Sequence, residues 1–164
     1  MKNWSISLKF TLLFASAIAL SVLAGGFNLW AGGEKDRLGR ALRETYVGQT
    51  HVEKINGLIY AVVMDSRGIY MSTKPEPLKK FADGLFASLD RMTAAVAAWE
   101  KEITPTLRGR FDEMKTRVAQ FREFRTEMAR RGIAEGAAIA RELGDNDANR
   151  SVRSALNKDL EAIA

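Results

Sequence analysis

The stretch LKKFADGLFASLDRMTAAVAAWEKEI, Leu78–Ile103, decides the fold. Its apolar residues Leu78, Phe81, Leu85, Leu89, Met92, Val96, Trp99 and Ile103 follow one another at steps of three and four. A helix with 3.6 residues per turn gathers such positions into one stripe, and the alternating step is the seam that packs helices into four-helix bundles. The segment is therefore read as a bundle helix packed through Phe81, Leu85, Leu89, Met92, Val96 and Trp99. Before it, Ser72-Thr73-Lys74-Pro75-Glu76-Pro77 reads as a turn, because each proline disfavours helix in the preceding residue. After it, Thr104-Pro105 reads as a short link, with Thr104 placed to cap the next helix and Pro105 suited to its first position.

Toward the C-terminus the pattern repeats through Leu107, Phe111, Met114, Val118, Phe121, Arg125 and Met128. Arg125 is the single lapse, and a Glu or Asp of a neighbouring helix is its expected partner. Arg130-Arg131-Gly132 reads as the end of this helix, with cations in the last turn and glycine after it. The remaining stripe, Ile139, Leu143, Val152, Leu156, Leu160 and Ile163, is interrupted at Gly144-Asp145-Asn146-Asp147. Either one helix crosses that patch or it breaks and restarts with Asp145 or Asn146 as cap; the reading adopted is one continuous helix.

Toward the N-terminus, Leu38, Leu42, Thr45, Val52, Ile55, Ile59, Val62 and Ile69 carry a helical stripe. LIYAVVMDSRGIYMS, Leu58–Ser72, has the β-branched and aromatic content of a hairpin. No other strand candidates exist to complete a sheet, and an isolated hairpin is marginal in water, so helix is preferred. Tyr60, Met64 and Met71 form a second apolar stripe on another face, with Arg67 inside it. A bundle helix ordinarily has one apolar face. The second stripe is read as a dimer interface.

No charged residue occurs between Lys9 and Glu34, a run reading FTLLFASAIALSVLAGGFNLWAGG. About 20 apolar residues cross a bilayer, and Trp4 and Trp30 suit its two interfaces. A cleaved signal peptide is the rival, with Lys2 and Lys9 as a basic start and Val22-Leu23-Ala24 as a cleavage site. The apolar run continues past that site, so an uncleaved anchor is preferred. Lys35, Arg37, Arg40 and Arg43 follow the span, which taken literally favours a cytoplasmic domain. Long translocated domains weaken that rule, and the domain is read as external.

Composition bounds the chemistry. The 164 residues include no cysteine and one histidine, His51, so thiolate sites, disulfides and histidine metal clusters are excluded. No phosphate-cradling glycine loop and no serine elbow occurs, and neither an enzyme, a cofactor nor a metal is expected. His51 is read as half-buried and structural, and Trp99 and Phe121 as core. The net charge of +5 is spread among acidic residues, as in RGRFDEMKTR from Arg108 to Arg117, and reads as solvated helix faces rather than a nucleic-acid surface.

The fold class is thus all-α, an N-terminal transmembrane helix followed by an antiparallel up-down four-helix bundle. This order, with segments such as RELGDNDANRSVRSALNKDLEAIA and GLIYAVVMDSRGIYMSTKPEPLKKFADGL, resembles the sensory domain of bacterial methyl-accepting chemotaxis proteins. The resemblance implies residues 1–9 in the cytoplasm, 10–33 across the inner membrane and 34–164 as a periplasmic sensory bundle. It also implies a homodimer that binds a small anionic ligand or a periplasmic protein near its membrane-distal end and transmits a helix displacement. Arg67, with Tyr60 and Arg125, is the candidate ligand site, Arg67 holding a carboxylate as arginines do in amino-acid-sensing members. The bland alternative for Arg67 is a stem on apolar surface with its head in water. Such receptors continue into a second span, a HAMP linker and a kinase-contacting hairpin, so the chain is expected to be a receptor fragment or truncated frame. The alternatives are an anchored or secreted helical adaptor and the input domain of a sensor histidine kinase.

Overall fold

The computed structural model describes residues 5–163. Lys2, Trp4 and Ala164, on which parts of the reading above rest, lie outside the described residues, as does the side chain of Arg40. Five helices make up the described residues: α1 (Ile6–Met71), α2 (Pro75–Glu100), α3 (Arg108–Glu135), α4 (Ala137–Gly144) and α5 (Asp147–Ile163). By its internal contacts the chain divides into two units, Met1–Glu44 and Thr45–Ala164.

The first unit is helical from Ile6, and no residue from Ile6 to Gly39 is buried. From Ile6 to Gly39 it is long and apolar enough to cross a membrane, a property that an anchor and a signal sequence share. Phe10, Phe14, Leu23, Phe27 and Trp30 are all exposed. Its few polar side chains are satisfied by the helix itself. Thr11 donates to the Ser7 carbonyl, Ser16 to Leu13, Ser21 to Ala17 and Asn28 to Ala24. Such back-bonding is what a hydrocarbon surround demands, since no water is there to take the donors. Leu38 and Leu42 continue the helical spacing but are exposed, so the buried stripe of α1 begins only near Val52.

The second unit is a bundle of packed antiparallel helices around one continuous core. Val52, Ile55, Ile59, Val62 and Ile69 of α1 meet Leu85, Leu89, Met92 and Trp99 of α2, Phe111, Met114 and Phe121 of α3, and Leu156, Leu160 and Ile163 of α5. At one end Trp99 stacks on His51, with ring centroids 5.5 Å apart and planes at 8°. Phe111 meets the same indole edge-on at 5.4 Å. The Leu58–Ser72 stretch is helical as far as Met71, without a hairpin.

Several boundaries differ from the sequence reading. The first turn is shorter, and α2 starts at Pro75, where the missing proline N–H is one that a first helical turn leaves unbonded anyway. Thr104-Pro105 does not open α3; the Leu107 N–H bonds back to the Thr104 carbonyl at 3.1 Å, and the helix begins at Arg108. On α2 the seam holds apart from Phe81, which is 38% exposed. Its ring lies over Gly68 at the edge of the α1–α2 contact, where a Cβ would overlap it, and Leu78 and Ala82 fill the core position instead.

Gly132 does not end α3. It is buried against Ala140 and Ile69, and the helix runs on to Glu135. Gly136 stops it, with φ at 104°, a left-handed conformation that residues with a Cβ rarely adopt. The last stretch is not continuous either. It breaks after Gly144, and Asn146 serves both sides of the break. The Asn146 Oδ1 accepts from the Asn149 N–H at 2.9 Å while its Nδ2 donates to the Leu143 carbonyl at 2.8 Å. A side chain that caps a new helix and finishes the old one makes the break locally stable.

Candidate functional site

A cavity of about 270 Å³ lies beside the α4–α5 break. α1 supplies Val63, Ser66, Arg67 and Tyr70 to its wall, α3 supplies Arg125, and the break and α5 supply Gly144, Asp145, Asn149, Arg150 and Arg153. Four guanidinium groups thus share one small wall with a single carboxylate.

Arg125 is the residue that makes the site unusual. Its place on the α3 seam puts it in the core, where it is 5% exposed. The expected carboxylate partner is absent: among the described residues Arg125 forms no ion pair. Its Nη1 instead donates to the Ser66 Oγ and the Tyr70 hydroxyl, both at 3.2 Å. The Ser66 hydroxyl donates to the Val62 carbonyl at 2.7 Å, which leaves its lone pairs to the guanidinium. The guanidinium also lies 5.3 Å from the centre of the Phe121 ring, within cation–π range. Its Nε is buried without a partner.

These neutral partners do not match a full charge. Burial draws the pKa of Arg125 below its ordinary value, and the nearby Arg153 pushes in the same direction, while Tyr70 and Asp145 oppose. Burial conversely raises the Tyr70 hydroxyl pKa, against the pull of Arg125. Tyr70 therefore stays a neutral phenol, able to accept from the guanidinium but not to neutralise it. Its hydroxyl lies against Gly144, where a Cβ would overlap it, so the glycine that ends α4 also makes room for the Arg125 partner.

Around this buried charge the outer groups differ. Arg150 is matched twice, by Asp145 at 2.8 Å and Asp147 at 2.9 Å. Arg153 is half-buried and Arg67 exposed, and neither forms an ion pair among the described residues. Asn149, almost wholly buried, donates from Nδ2 to the Gly144 carbonyl, and its Oδ1 is buried without a partner.

The structure thus brings Arg67 and Arg125 to one wall and leaves Tyr60 off it. Tyr60 is 67% exposed, and Met64 and Met71 are likewise exposed at 61% and 77%. Tyr70, Asn149, Arg150 and Arg153 were missed. A signal was present: Arg150 and Arg153 stand three apart just after Asp145-Asn146-Asp147, on one face once a helix is started there. His51, half-buried and stacked on Trp99, has its Nε2 3.6 Å from Glu102.

No family model matches this chain, and neither a curated protein nor a solved structure matches it. What stands is an all-helical chain of packed antiparallel helices with a long, apolar, exposed N-terminal helix.

Proposed function

We propose that this chain is the signal-sensing input domain of a transmembrane chemoreceptor of the methyl-accepting type, held in the inner membrane by its N-terminal helix with its bundle in the periplasm. The observation that carries this reading is the cavity, with a buried guanidinium that forms no ion pair among the described residues. A purely structural bundle gains little stability from such a charge, because apolar residues of similar volume often stabilise a core as well. A binding domain gains a site. The apolar, internally satisfied helix Ile6–Gly39 supports the membrane half of the reading.

The reading includes a homodimer through the exposed face of Tyr60, Met64 and Met71. In such a dimer a ligand would act by shifting one helix against its neighbours, and the α4–α5 break beside the cavity is the element best suited to register it.

Orientation and anchoring are tested by fusing alkaline phosphatase, and separately a reporter that fluoresces only in the cytoplasm, after Ala164. An active phosphatase, a dark reporter and an intact N-terminus in the membrane fraction are expected. A mature chain beginning at Gly25, or a fluorescent reporter, overturns the anchored periplasmic reading.

A further inference from the structure

We propose that the cavity at the α4–α5 break binds a small oxyanion carrying two negative charges, with Arg125 as its buried anchor and Arg153 and Arg67 as its outer contacts. The proposal deepens the sensing reading by naming the class of signal, and for its biological role it rests on that reading.

The only carboxylate in the wall, Asp145, is already engaged by Arg150, and Arg150 has Asp147 as well. That leaves Arg67, Arg125 and Arg153 lining the same cavity without an ion pair among the described residues. Counting Asp147, four arginines face two carboxylates, a net of about two positive charges, which two negative charges balance and one does not. Burial sharpens the point. Arg125 is 5% exposed and bonded only to neutral oxygens, and a charge taken from water is normally held in proteins by a partner of opposite sign.

Geometry favours the same ligand. Asn149, Arg150 and Arg153 fall in the first two turns of α5, whose N-terminal end carries the positive pole of the helix dipole. Guanidinium forks donate in pairs and match the spaced oxygens of a carboxylate, sulfate or phosphate. Size is compatible with such a ligand. A space of about 270 Å³ has room for an inorganic oxyanion or a four-carbon dicarboxylate.

Isothermal titration calorimetry on the full chain in detergent tests this, at an ionic strength held constant with sodium chloride. The probes are sodium sulfate, orthophosphate and succinate, with acetate as the singly charged comparison. At least one dianion should bind saturably, with acetate at least about tenfold weaker. Loss of one charge-assisted contact, in Arg153→Gln or Arg67→Gln, should raise the Kd of that dianion about tenfold or more. Arg153→Gln leaves the hydrogen bonds of Arg125 to Ser66 and Tyr70 in place, so it remains informative if Arg125→Gln fails to fold. Preference for sulfate or phosphate over succinate, or the reverse, separates an inorganic from an organic signal, and either supports the site. Absence of saturable heat with all three dianions, or an unchanged Kd in Arg153→Gln, overturns it. That result in a chain still anchored in the membrane removes the site while leaving the anchored reading intact. Binding by a chain that proves to be cleaved and soluble does the opposite.

Discussion

Arg125 on α3 donates to the hydroxyl of Tyr70 on α1 at 3.2 Å, and that hydroxyl rests against Gly144 at the end of α4. The guanidinium therefore joins α3 to α1, and Tyr70 carries the contact on to α4 where the last helical stretch breaks. Because its partners are neutral, the contact holds the arginine in place without matching its charge. Removing the hydroxyl should be felt: Tyr70→Phe should cost about 1–2 kcal/mol, as for a buried donor that loses one acceptor. Removing the charge should not. Arg125→Met should stay within about 1 kcal/mol of the wild type, since relief from desolvating a buried charge offsets the lost bonds to Tyr70 and Ser66. Urea unfolding of the full chain in detergent, followed by helical circular dichroism, measures both. A loss above about 2 kcal/mol in Arg125→Met would make the arginine a structural element.

Two glycines in helices should respond to alanine with opposite signs. At Gly132 a Cβ would come within 2.8 Å of the Ala140 Cβ and 3.2 Å of Ile69, both packed against it in the core. Gly132→Ala should therefore destabilise by about 1–3 kcal/mol through overpacking, despite the better helix propensity of alanine. Gly57, exposed within α1, meets nothing within 4 Å. Gly57→Ala should stabilise by about 0.5–1 kcal/mol. The same unfolding experiment reads both, and equal signs would contradict the packing around Gly132.

The α2 seam gives a sharper contrast. Leu89, 1% exposed, should cost about 2–5 kcal/mol when replaced by alanine, and exposed Lys80 under about 0.5 kcal/mol. Comparable losses at the two positions would place the core elsewhere.

The seam was legible in the sequence because bundle packing imposes its period on many residues at once. From Leu85 to Trp99 the spacing named Leu85, Leu89, Met92, Val96 and Trp99, all buried, and passed over the smaller Ser88 and Ala95 buried beside them. Where one residue decides, the sequence was less informative. Gly132 and Gly136 are both glycines near the end of α3, and only the neighbours Ala140 and Ile69 show that the first is there for close packing and the second for its backbone conformation. Arg125 stood out as a lapse in the stripe, yet its partners did not, since hydroxyl acceptors such as Ser66 and Tyr70 leave no charge pattern to read. Reading Gly144–Asp147 as unbroken helix hid Arg150 and Arg153, whose placement follows from the Asn146 cap. Leu38 and Leu42 show the converse: helical spacing alone does not supply a partner to bury it.

The exposed face of Tyr60, Met64 and Met71 carries its own expectation. In sedimentation velocity of the full chain in detergent, the wild type should populate a dimer as concentration rises. Met64→Glu should shift it toward monomer with helix content unchanged, since a charge in a forming apolar interface must be desolvated. A strictly monomeric wild type at every concentration would leave this face without the proposed partner.

The central claim is that the bundle senses a small molecule and passes the signal on. It is tested most directly by joining residues 1–164 to the second span, linker and kinase-controlling hairpin of a chemoreceptor and measuring kinase activity in membranes. The activity should change saturably with a dianion among sulfate, orthophosphate and succinate, and the Arg153→Gln fusion should need about tenfold more of it. A fusion that assembles and supports kinase activity, yet is indifferent to all three anions, would contradict that claim.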